Sequence, residues 1–450
     1  MKKEKKIELI YLLMIFIIML FFSIKQPYDY GPDEYMRYKI PEYIYNHNKL
    51  PLPDNKEVII SDFNASYAYY PTQLPAITSS LFMKITSLIT DKNNILVIAA
   101  RFTSVLSGII FIYFIMKILN ELTTSKKIKW LGIILASLIP QFIFLSSYIN
   151  NDTMAIMASS IIVYAWIKGL KESWNLKNSI TLAIGIIICS LSYYNAYGWI
   201  LFSIIIFIFS FLKKNNKQLV FNYKPFLKYG TIISLLVLLC ISFFFIRNYI
   251  INDKDILGIN SFLNACEEGG ADYLKPSLRE TPEKLNMSYL EMLTTSYYGN
   301  HSWLLSTYSS FIGNFGYMQY KLPIIIYAGY ALIILIGFLG YLFKLKDIIK
   351  NKKDLIFHLS IISCLIIPIL LSLKYSYSTD YQPQGRYIYP MFTSLIIILT
   401  LGYEKLSNIL NSKLTNNKKK NLIINTIILS IILFIIISFI IATKIFISSI

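Results

Sequence analysis

The sequence has few charged residues for its length. Only 15% of its 450 residues are charged, whereas soluble chains carry about 25%. This shortage excludes an ordinary cytosolic enzyme. It also excludes a nucleic-acid-binding protein, because such a protein is rich in charge as well as basic. The hydrophobic fraction of 55% indicates an integral membrane protein, in which the 43 Lys and Arg exceed the 25 Asp and Glu by 18.

Cysteine and histidine are also scarce. Of four cysteines, only Cys266 lies in a long polar segment, so no disulfide between soluble segments is predicted. Three histidines offer little for a catalytic zinc site, which commonly uses them as ligands. There is no Walker A sequence. The basic connections between apolar runs are shorter than about 20 residues, which leaves no room for a cytoplasmic nucleotide-sugar domain at the usual domain sizes.

Long apolar runs recur along the chain. A bilayer core needs about 20 apolar residues per helix, and shorter runs can use flanking residues. We therefore predict an all-α, polytopic membrane protein with eleven transmembrane helices. The predicted spans are Leu9–Ile24, Ile95–Leu119, Ile128–Tyr148, Thr153–Trp166, Ser179–Tyr193, Trp199–Leu212, Gly230–Phe245, Pro323–Phe343, Leu355–Leu373, Tyr387–Tyr403 and Leu422–Ala442.

The lysines predict the orientation of the chain. With Lys117, six basic segments hold 26 Lys and Arg against six acidic residues, and the positive-inside rule places them in the cytoplasm together with the N-terminus. The run Leu74–Thr90 is apolar but contains Pro75 and Lys84. We interpret it as an interfacial or re-entrant helix on the outer face, because a crossing there would divide the basic segments between the two sides. The basic segments are Met1–Ile7, Asn120–Lys129, Lys168–Lys177, Lys213–Lys228, Lys344–Asp354 and Glu404–Lys420.

This topology divides the chain into five parts. They are the N-terminus with the first span (1–24), a first outer loop (25–94), spans two to seven (95–246), a second outer loop (247–322) and spans eight to eleven (323–450). Together the outer loops hold 13 Lys and Arg and 16 Asp and Glu, and we expect them to contain amphipathic helices. One such helix is predicted within Leu285–Tyr297.

The stretch Gly31–Arg37 in the first outer loop carries the most chemical information. It contains the adjacent carboxylates Asp33 and Glu34, which are costly to dehydrate close to a membrane. Gly31 and Pro32 favour a turn before a helix. The alternative interpretation is structural, with Asp33 as the N-cap and Glu34 as an acid in the first helical turn.

Three arginines are predicted on the same outer side. Arg101 opens the second span, Arg247 closes the seventh, and Arg386 opens the tenth. Each can be explained singly as a side chain that reaches lipid headgroups. Together they run against the positive-inside bias and point to a shared anionic ligand, since arginine binds phosphate bidentately. Further candidate substrate contacts are Arg37, Tyr70, Asn151, Asp152, Asn248, Gln384 and Tyr387.

The order of these motifs resembles the GT-C superfamily of membrane glycosyltransferases, and within it a largely uncharacterised bacterial family with a domain of unknown function. That group has a PDE-x-x-H-like start to its first outer loop, an aromatic-proline step and a late Gly-Arg-Tyr. The counterparts here are Pro32–Glu34, Tyr70-Pro71 and Gln384–Tyr387, and Phe311–Tyr317 ahead of Leu322-Pro323 is also similar. The likeness covers Leu9–Tyr403. It departs at Arg37, where the group often has histidine.

The resemblance implies an inverting transfer of a hexose or pentose from a polyprenyl-phosphate donor to a hydroxyl of a glycan, lipid or protein on the outer face. Asp33 would be the general base. Glu34 would orient the acceptor, bind a metal or stabilise the helix start. Mg²⁺ or Mn²⁺ on Asp33 and Glu34 remains an open alternative. Arg101, Arg247 and Arg386 would neutralise the departing phosphate.

Two other functions remain open. A polysaccharide polymerase or ligase could also use outer arginines with lipid-linked glycans, and a flippase or transporter would move such a lipid without chemistry. Transporters place ionisable groups at mid-span and often have repeated halves. The predicted spans are almost free of internal charge and show no repeat, which favours the glycosyltransferase.

Overall fold

The computed structural model describes residues 2–215, 218–296, 302–413 and 417–450. The protein is predominantly α-helical, as predicted. Its helices are α1 (Lys2–Lys25), α2 (Glu34–His47), α3 (Leu74–Ser87), α4 (Asn93–Leu122), α5 (Lys126–Leu138), α6 (Pro140–Leu145), α7 (Asp152–Glu172), α8 (Leu176–Ser190), α9 (Gly198–Ser210), α10 (Tyr223–Ile251), α11 (Ile259–Gly269), α12 (Tyr289–Thr294), α13 (Trp303–Gly313), α14 (Ile324–Ile348), α15 (Lys352–Ser378), α16 (Phe392–Lys413) and α17 (Asn417–Ser448).

Short elements complete the described part of the chain. Two antiparallel pairs of strands occur, β1 (Leu212–Asn215) with β2 (Gln218–Phe221) and β3 (Asn314–Phe315) with β4 (Tyr320–Lys321). The 3₁₀ turns are Tyr67–Tyr69, Tyr194–Ala196, Asp272–Leu274 and Gly385–Met391. The last of these leads directly into α16, so the late Gly-Arg-Tyr motif begins one of the apolar spans.

Eight helical segments in the described ranges are long and apolar enough to cross a membrane. The count of eleven is therefore not confirmed. Two of the other three predicted spans coincide with α8 and α9, which have 15 and 13 residues and fall short of the 20 or so needed. The eight segments are Glu4–Lys25, Asn93–Leu122, Asp152–Glu172, Tyr223–Ile251, Ile324–Ile348, Lys352–Ser378, Gly385–Ser412 and Leu422–Ser448.

The remaining predicted span, Ile128–Tyr148, is interrupted. It consists of the 13-residue α5 and the six-residue α6, which meet at Ile139 and Pro140. Ile139 is in the extended conformation, with ψ 121°. Proline lacks the N–H of a helical hydrogen bond and disfavours the helical conformation of the residue before it, so one apolar run becomes two helices.

The core of the bundle surrounds α7 and α16. Its aromatic centre is Phe392, whose ring lies 5.4 Å from that of Phe111, 5.3 Å from Phe142 and 5.1 Å from Tyr389. Helices α14 and α16 approach closely at two glycines, since a Cβ on Gly402 would lie 1.9 Å from the carbonyl oxygen of Gly337. Small residues permit such backbone contact between membrane helices, where dispersion replaces the hydrophobic effect.

Lysines and acidic residues form ion pairs at one end of the bundle. Buried Lys129 binds Glu4 at 2.8 Å and Glu8 at 3.1 Å, which joins α5 to α1. Nearby connections are closed by similar pairs, namely Lys168 with Glu121, Lys171 with Glu121, Lys344 with Glu404 and Lys405 with Asp347. We call this the basic end. It contains connections that the sequence predicts to be cytoplasmic.

The two predicted outer loops pack on each other at the opposite end. Phe262 of α11 lies 6.0 Å from the ring of Tyr67 and 5.4 Å from that of Tyr70. The helix α3 is 14 residues long, too short to span, and Ser79 ties it to the Ala100 carbonyl of α4 at 2.9 Å. The helix expected within Leu285–Tyr297 is the six-residue α12, with Ser288 and Glu291 as a capping box.

Candidate functional site

The site is built on the turn that joins α1 to α2. Gly31 is required there by space, because a Cβ at this position would lie 2.5 Å from Cγ of Tyr148. Asp33 follows with φ 62° and ψ 11°, a left-handed conformation that is uncommon for non-glycine residues and characteristic of functional sites. Its side chain makes no cap hydrogen bond to α2. The side chain of Asp33 therefore does not cap α2.

Glu34 turns inward and forms a closed ion pair with Arg101. Nε and Nη2 of Arg101 each lie 2.7 Å from one oxygen of Glu34. The other three guanidinium N–H groups bind backbone carbonyls of residues 23, 26 and 27. The two Glu34 oxygens also accept the backbone N–H groups of Asp29 and Ile149, both at 3.1 Å. The side chains are 0% and 2% exposed.

This closed pair changes the expected roles of both residues. All five donors of Arg101 are used within the protein, so none remains for a donor phosphate in this conformation. Both Glu34 oxygens are likewise occupied. The structure thus gives Arg101 and Glu34 structural partners, and their roles in phosphate binding and catalysis stay predictions. The pair holds the end of α1, the start of α2 and α4 together.

Asp33 pairs with the third predicted arginine, Arg386. Nη2 of Arg386 lies 2.5 Å from Oδ2 of Asp33, and Nη1 donates to the carbonyl of Pro32 at 3.2 Å. The Arg386 side chain is 6% exposed, and that of Asp33 is 21% exposed. Nε of Arg386 is buried and has no partner among the described residues. A partly exposed carboxylate thus faces a buried cation that retains one unused donor.

Arg37 and Asp152 complete a group of four charges with Asp33 and Arg386. Burial works against the Arg37 charge, but Tyr67, Asp33 and Asp152 outweigh it and raise the pKa of Arg37. The guanidinium of Arg37 lies 4.3 Å from the centre of the Tyr67 ring, a cation–π contact. Burial, reinforced by Asp33, raises the pKa of Tyr67. We call Asp33, Arg37, Asp152 and Arg386 the charged quartet.

A small cavity of about 20 Å³ lies beside the quartet. Three predicted substrate contacts, Arg37, Tyr70 and Asn151, are among its walls. Asn151 also donates to the Ser192 carbonyl at 3.1 Å. A cavity of this size holds about one water. Its lining residues are Arg37, Ile40, Tyr67, Tyr70, Thr72, Gln73, Ala76 and Asn151.

Arg247 and Asn248 serve the first outer loop instead. Nη2 of Arg247 donates to the Pro51 carbonyl at 2.6 Å, and Asn248 donates to the Tyr69 carbonyl, also at 2.6 Å. Asn252 binds the same Tyr69 oxygen at 2.8 Å. These contacts join the end of α10 to the first outer loop. The phosphate-binding role of Arg247 and the substrate contact of Asn248 stay predictions, which these contacts do not support.

The late motif combines packing with charge. Gly385 is required by α13, because a Cβ there would lie 2.2 Å from the backbone nitrogen of Phe311. The missing side chain thus lets the chain lie directly against the backbone of α13. The backbone carbonyl of Gln384 accepts the backbone N–H of Tyr387 at 3.2 Å, which closes a turn around Gly385. The Tyr387 ring lies 4.9 Å from the Arg386 guanidinium, and its hydroxyl accepts from Arg386 at 3.0 Å.

The structure adds residues that the sequence reasoning missed. Tyr148 lies beneath the Gly31 turn, and its fully buried hydroxyl has no partner in the described part of the chain. Tyr317 donates to Asp29 at 2.8 Å. Asp380 and Gln382 immediately precede the recognised Gln384–Tyr387 motif, and this proximity was the signal that could have identified them.

The expected metal ligands do not converge. Both Glu34 oxygens bind Arg101, and Asp33 binds Arg386. Across residues 2–215, 218–296, 302–413 and 417–450, no group of three or more His, Cys, Asp or Glu side chains could hold a metal ion. The residues present do not fit a divalent cation on Asp33 and Glu34, and we assign no reaction step to one.

Comparison with known protein families identifies the family to which the chain belongs. Residues 39–395 match the family described as "Predicted membrane protein (DUF2142)", a range of 357 of the 450 residues. The chain belongs to this family. Within the DUF2142 match lie Asp152, Arg386 and most of the predicted spans, while Asp33 and Arg37 precede it. No curated protein matches the sequence significantly.

Solved structures show that this DUF2142 protein has a GT-C fold. One neighbour is the archaeal oligosaccharyltransferase AglB from Archaeoglobus fulgidus, in complex with an inhibitory peptide and a dolichol-phosphate (TM-score 0.53, 12% identity, 95% of this chain and 55% of AglB). Another is ArnT from Cupriavidus metallidurans bound to undecaprenyl phosphate. Its TM-score is 0.54 at 10% identity, and the match covers 98% of this chain and 76% of ArnT. The chain thus spans about half the length of AglB. At these identities the likeness concerns the fold alone.

Proposed function

We propose that the protein is a membrane glycosyltransferase. It transfers a sugar from a polyprenyl-phosphate donor to an acceptor hydroxyl on a glycan, lipid or protein. The observation that supports this most is the contact of the partly exposed Asp33 carboxylate with the buried Arg386, in a GT-C fold whose solved neighbours hold a dolichol-phosphate and undecaprenyl phosphate.

Asp33 is the general base in this proposal. It accepts the proton of the acceptor hydroxyl while the hydroxyl oxygen attacks the anomeric carbon. The bond from that carbon to the phosphate oxygen breaks, and the electron pair leaves with the lipid phosphate. Attack opposite the leaving group inverts the anomeric centre. The 21% exposure of Asp33 allows an acceptor to reach it, and its left-handed backbone keeps the carboxylate outside the hydrogen bonding of α2.

Arg386 and Arg37 bind the donor phosphate. Arginine binds phosphate through charge-assisted hydrogen bonds, and developing charge is stabilised best by donors already in place. Nε of Arg386 is a buried donor without a protein partner in the described ranges. Arg37 lines the cavity next to it. A phosphate bound here competes with Asp33 for Arg386, which releases the carboxylate for its role as base.

The proposed reaction takes place on the outer side of the membrane. The charged quartet lies with the outer loops, and the lysine-rich connections lie at the basic end. The positive-inside rule then places the basic end and the N-terminus in the cytoplasm. The cavity of about 20 Å³ beside Arg37 is too small for a sugar, so in this proposal the donor enters through movement of the outer loops.

The experiment that tests this function is Asp33→Asn in purified protein supplied with synthetic polyprenyl-phosphate sugars and membrane acceptors. Wild-type protein is expected to transfer sugar, and loss of the base should lower kcat by about 10²–10⁴-fold. Asn tolerates the left-handed conformation, so the fold should be kept. Asp62→Asn, an exposed acid elsewhere in the first outer loop, is the matched control.

Normal turnover by well-folded Asp33→Asn would contradict the role of Asp33 as base. Absence of transfer by the wild type, with movement of the lipid-linked sugar across a reconstituted bilayer, would instead support the flippase. Formation of long glycan chains from lipid-linked oligosaccharide would support the polymerase.

A further inference from the structure

A chain of hydrogen bonds leads away from Arg386 toward the second outer loop. Nη2 of Arg386 donates to the hydroxyl of Tyr387 at 3.0 Å, and that hydroxyl donates to Oε1 of Gln382. Nε2 of Gln382 donates to Oδ2 of Asp380 at 2.6 Å. The same Asp380 oxygen lies 3.4 Å from Nη1 of Arg279. We call this sequence of contacts, from Arg386 to Arg279, the arginine relay.

The direction of the relay is determined by its donors and acceptors. Arginine can only donate, so the Tyr387 hydroxyl accepts from Arg386 and directs its own hydrogen to Gln382. The amide oxygen of Gln382 is thereby used, and its NH₂ group must face an acceptor. Asp380 provides that acceptor. Every link therefore constrains the next, and rotating one side chain would break two contacts.

Arg279 brings the second outer loop into the relay. Its side chain is 6% exposed, although it lies in an irregular segment between α11 and α12. The same part of the loop sits on the end of α15, where the Tyr289 ring stacks on that of Tyr377 at 3.9 Å and the Tyr377 hydroxyl donates to the Met287 carbonyl at 2.9 Å. The loop is therefore held beside the connection that carries Asp380, Gln382 and Arg386.

The relay has an unused donor at each end. Nε of Arg279 and Nε of Arg386 are both buried without a partner among the described residues. Such groups are uncommon in folded proteins and call for an explanation. Burial raises the pKa of Asp380, while Arg279 opposes that rise. Arg279 thus favours the charged form of Asp380.

We propose that Arg279 and Asp380 are positioning residues for the transfer reaction: when the second outer loop is seated, the relay aligns Arg386 against Asp33 and the donor phosphate. When the loop lifts to admit a donor, Arg279 leaves Asp380 and Arg386 loses its orientation. Catalytic alignment is thus coupled to closure of the loop over the substrate. This inference rests on the proposed glycosyltransferase function.

The test uses full-length protein and cuts the relay at two points. Arg279→Met removes its loop end, and Gln382→Met removes its centre while keeping the side-chain length. Lys275→Met is the matched control, since Lys275 lies in the same loop and forms its ion pair in the described part of the chain with the exposed Asp272. Hydrogen–deuterium exchange of backbone amides 29–37 and 384–389 is measured without substrate.

We expect both relay variants to exchange faster in these two segments, and Lys275→Met to match the wild type. In the transfer assay, each relay variant should lower kcat by about 10-fold, since small misplacements of positioned groups are costly. The double variant Arg279→Met/Gln382→Met should lose no more than about twofold beyond either single variant, because residues in one relay act as a unit. Arg279→Lys should recover part of the loss.

The outcomes separate the two proposals. Unchanged exchange in residues 29–37 for both relay variants overturns the relay, whatever the activity. The relay is also overturned if the decrease in kcat of the double variant equals the product of the two single decreases and its melting temperature is lowered. That result would indicate ordinary structural contacts. If the wild type transfers no sugar, the proposed function fails. Faster exchange in both variants then still supports the coupling of the second loop to Arg386, for a different reaction.

Discussion

Asp33 and Glu34 are neighbours in the sequence with opposite environments. Glu34 begins α2 and points into the bundle, where it meets Arg101. The left-handed backbone of Asp33 turns its side chain toward Arg386. One carboxylate is therefore fully sealed, while the other retains access. A buried pair is costly to break but contributes less to net stability than its geometry suggests, because both charges lose water.

The closed pair predicts a loss of stability for Glu34→Gln. This change leaves Arg101 buried with an uncompensated charge, which costs about 3–5 kcal/mol. We expect a markedly lower melting temperature in detergent, measured by thermal unfolding. Asp62→Asn is the control, and its melting temperature should stay close to that of the wild type because Asp62 is exposed. Equal melting temperatures for the two variants would contradict the structural role of Glu34.

At the scale of single elements, apolar length predicted the long helices but not the breaks. The run 128–148 has enough apolar residues for a span, yet Pro140 divides it. The predicted spans at α8 and α9 are shortened because the chain turns through Tyr194–Ala196 between them. The apolar content of a segment indicates whether it is stable in lipid. Where a helix ends also depends on local backbone chemistry and on what packs beside it.

Helix α10 differs from the other long helices in its exposure. Of its 29 residues, Ile233 and Asn248 are buried, and the others are half-buried or exposed. Leu239 is 77% exposed, and the adjacent Cys240 is also exposed. In a membrane this face meets lipid, where an exposed leucine is compatible with its surroundings.

Cys240 is therefore the cysteine that we expect to react in native membranes. The other three cysteines, Cys189, Cys266 and Cys364, are buried. A membrane-permeant maleimide should label one thiol per chain, as counted by intact-protein mass spectrometry. Cys240→Ser should abolish this labelling without affecting sugar transfer. Labelling that persists in Cys240→Ser would mean that α8, α11 or α15 opens more readily than the packing indicates.

At the scale of the whole molecule, two chemically different ends are separated by the helical bundle. Ion pairs of lysine with acidic residues close the basic end, as with Lys405 and Asp347. The opposite end contains the charged quartet and the arginine relay. The C-terminal helix α17 connects the two ends, because Lys127 binds Asn425 near its start at 2.5 Å and Tyr30 contacts Ser449 just after its end.

This polarity predicts which end is accessible from outside the cell. Single cysteines are introduced by Asp272→Cys and by Lys350→Cys in a Cys240→Ser background. Both native side chains are well exposed, at 82% and 77%. A membrane-impermeant maleimide should label the Asp272→Cys chain in intact cells, and the Lys350→Cys chain only after permeabilisation. The reverse pattern would invert the proposed topology and place the charged quartet in the cytoplasm.

The sequence by itself determined the class of protein, the family resemblance and the positions of most long helices. These properties depend on composition, on apolar length and on short motifs, all of which are local along the chain. It also identified Asp33 and Arg386 as candidates, and their contact makes them the centre of the proposed site. Lysine positions predicted the basic end, where the structure brings Lys129 to Glu4 and Glu8.

Only the tertiary structure decided which charges meet. Asp33 and Arg386 are 353 residues apart, and Glu34 and Arg101 are 67 apart. Nothing local distinguishes Arg101, whose five donors are all used by the protein, from Arg386, whose buried Nε has no partner among the described residues. Ion-pair partners are chosen by helix packing, which places side chains that are distant in sequence into one space with little water. There each donor must find an acceptor, so the fold determines which arginine remains for a ligand.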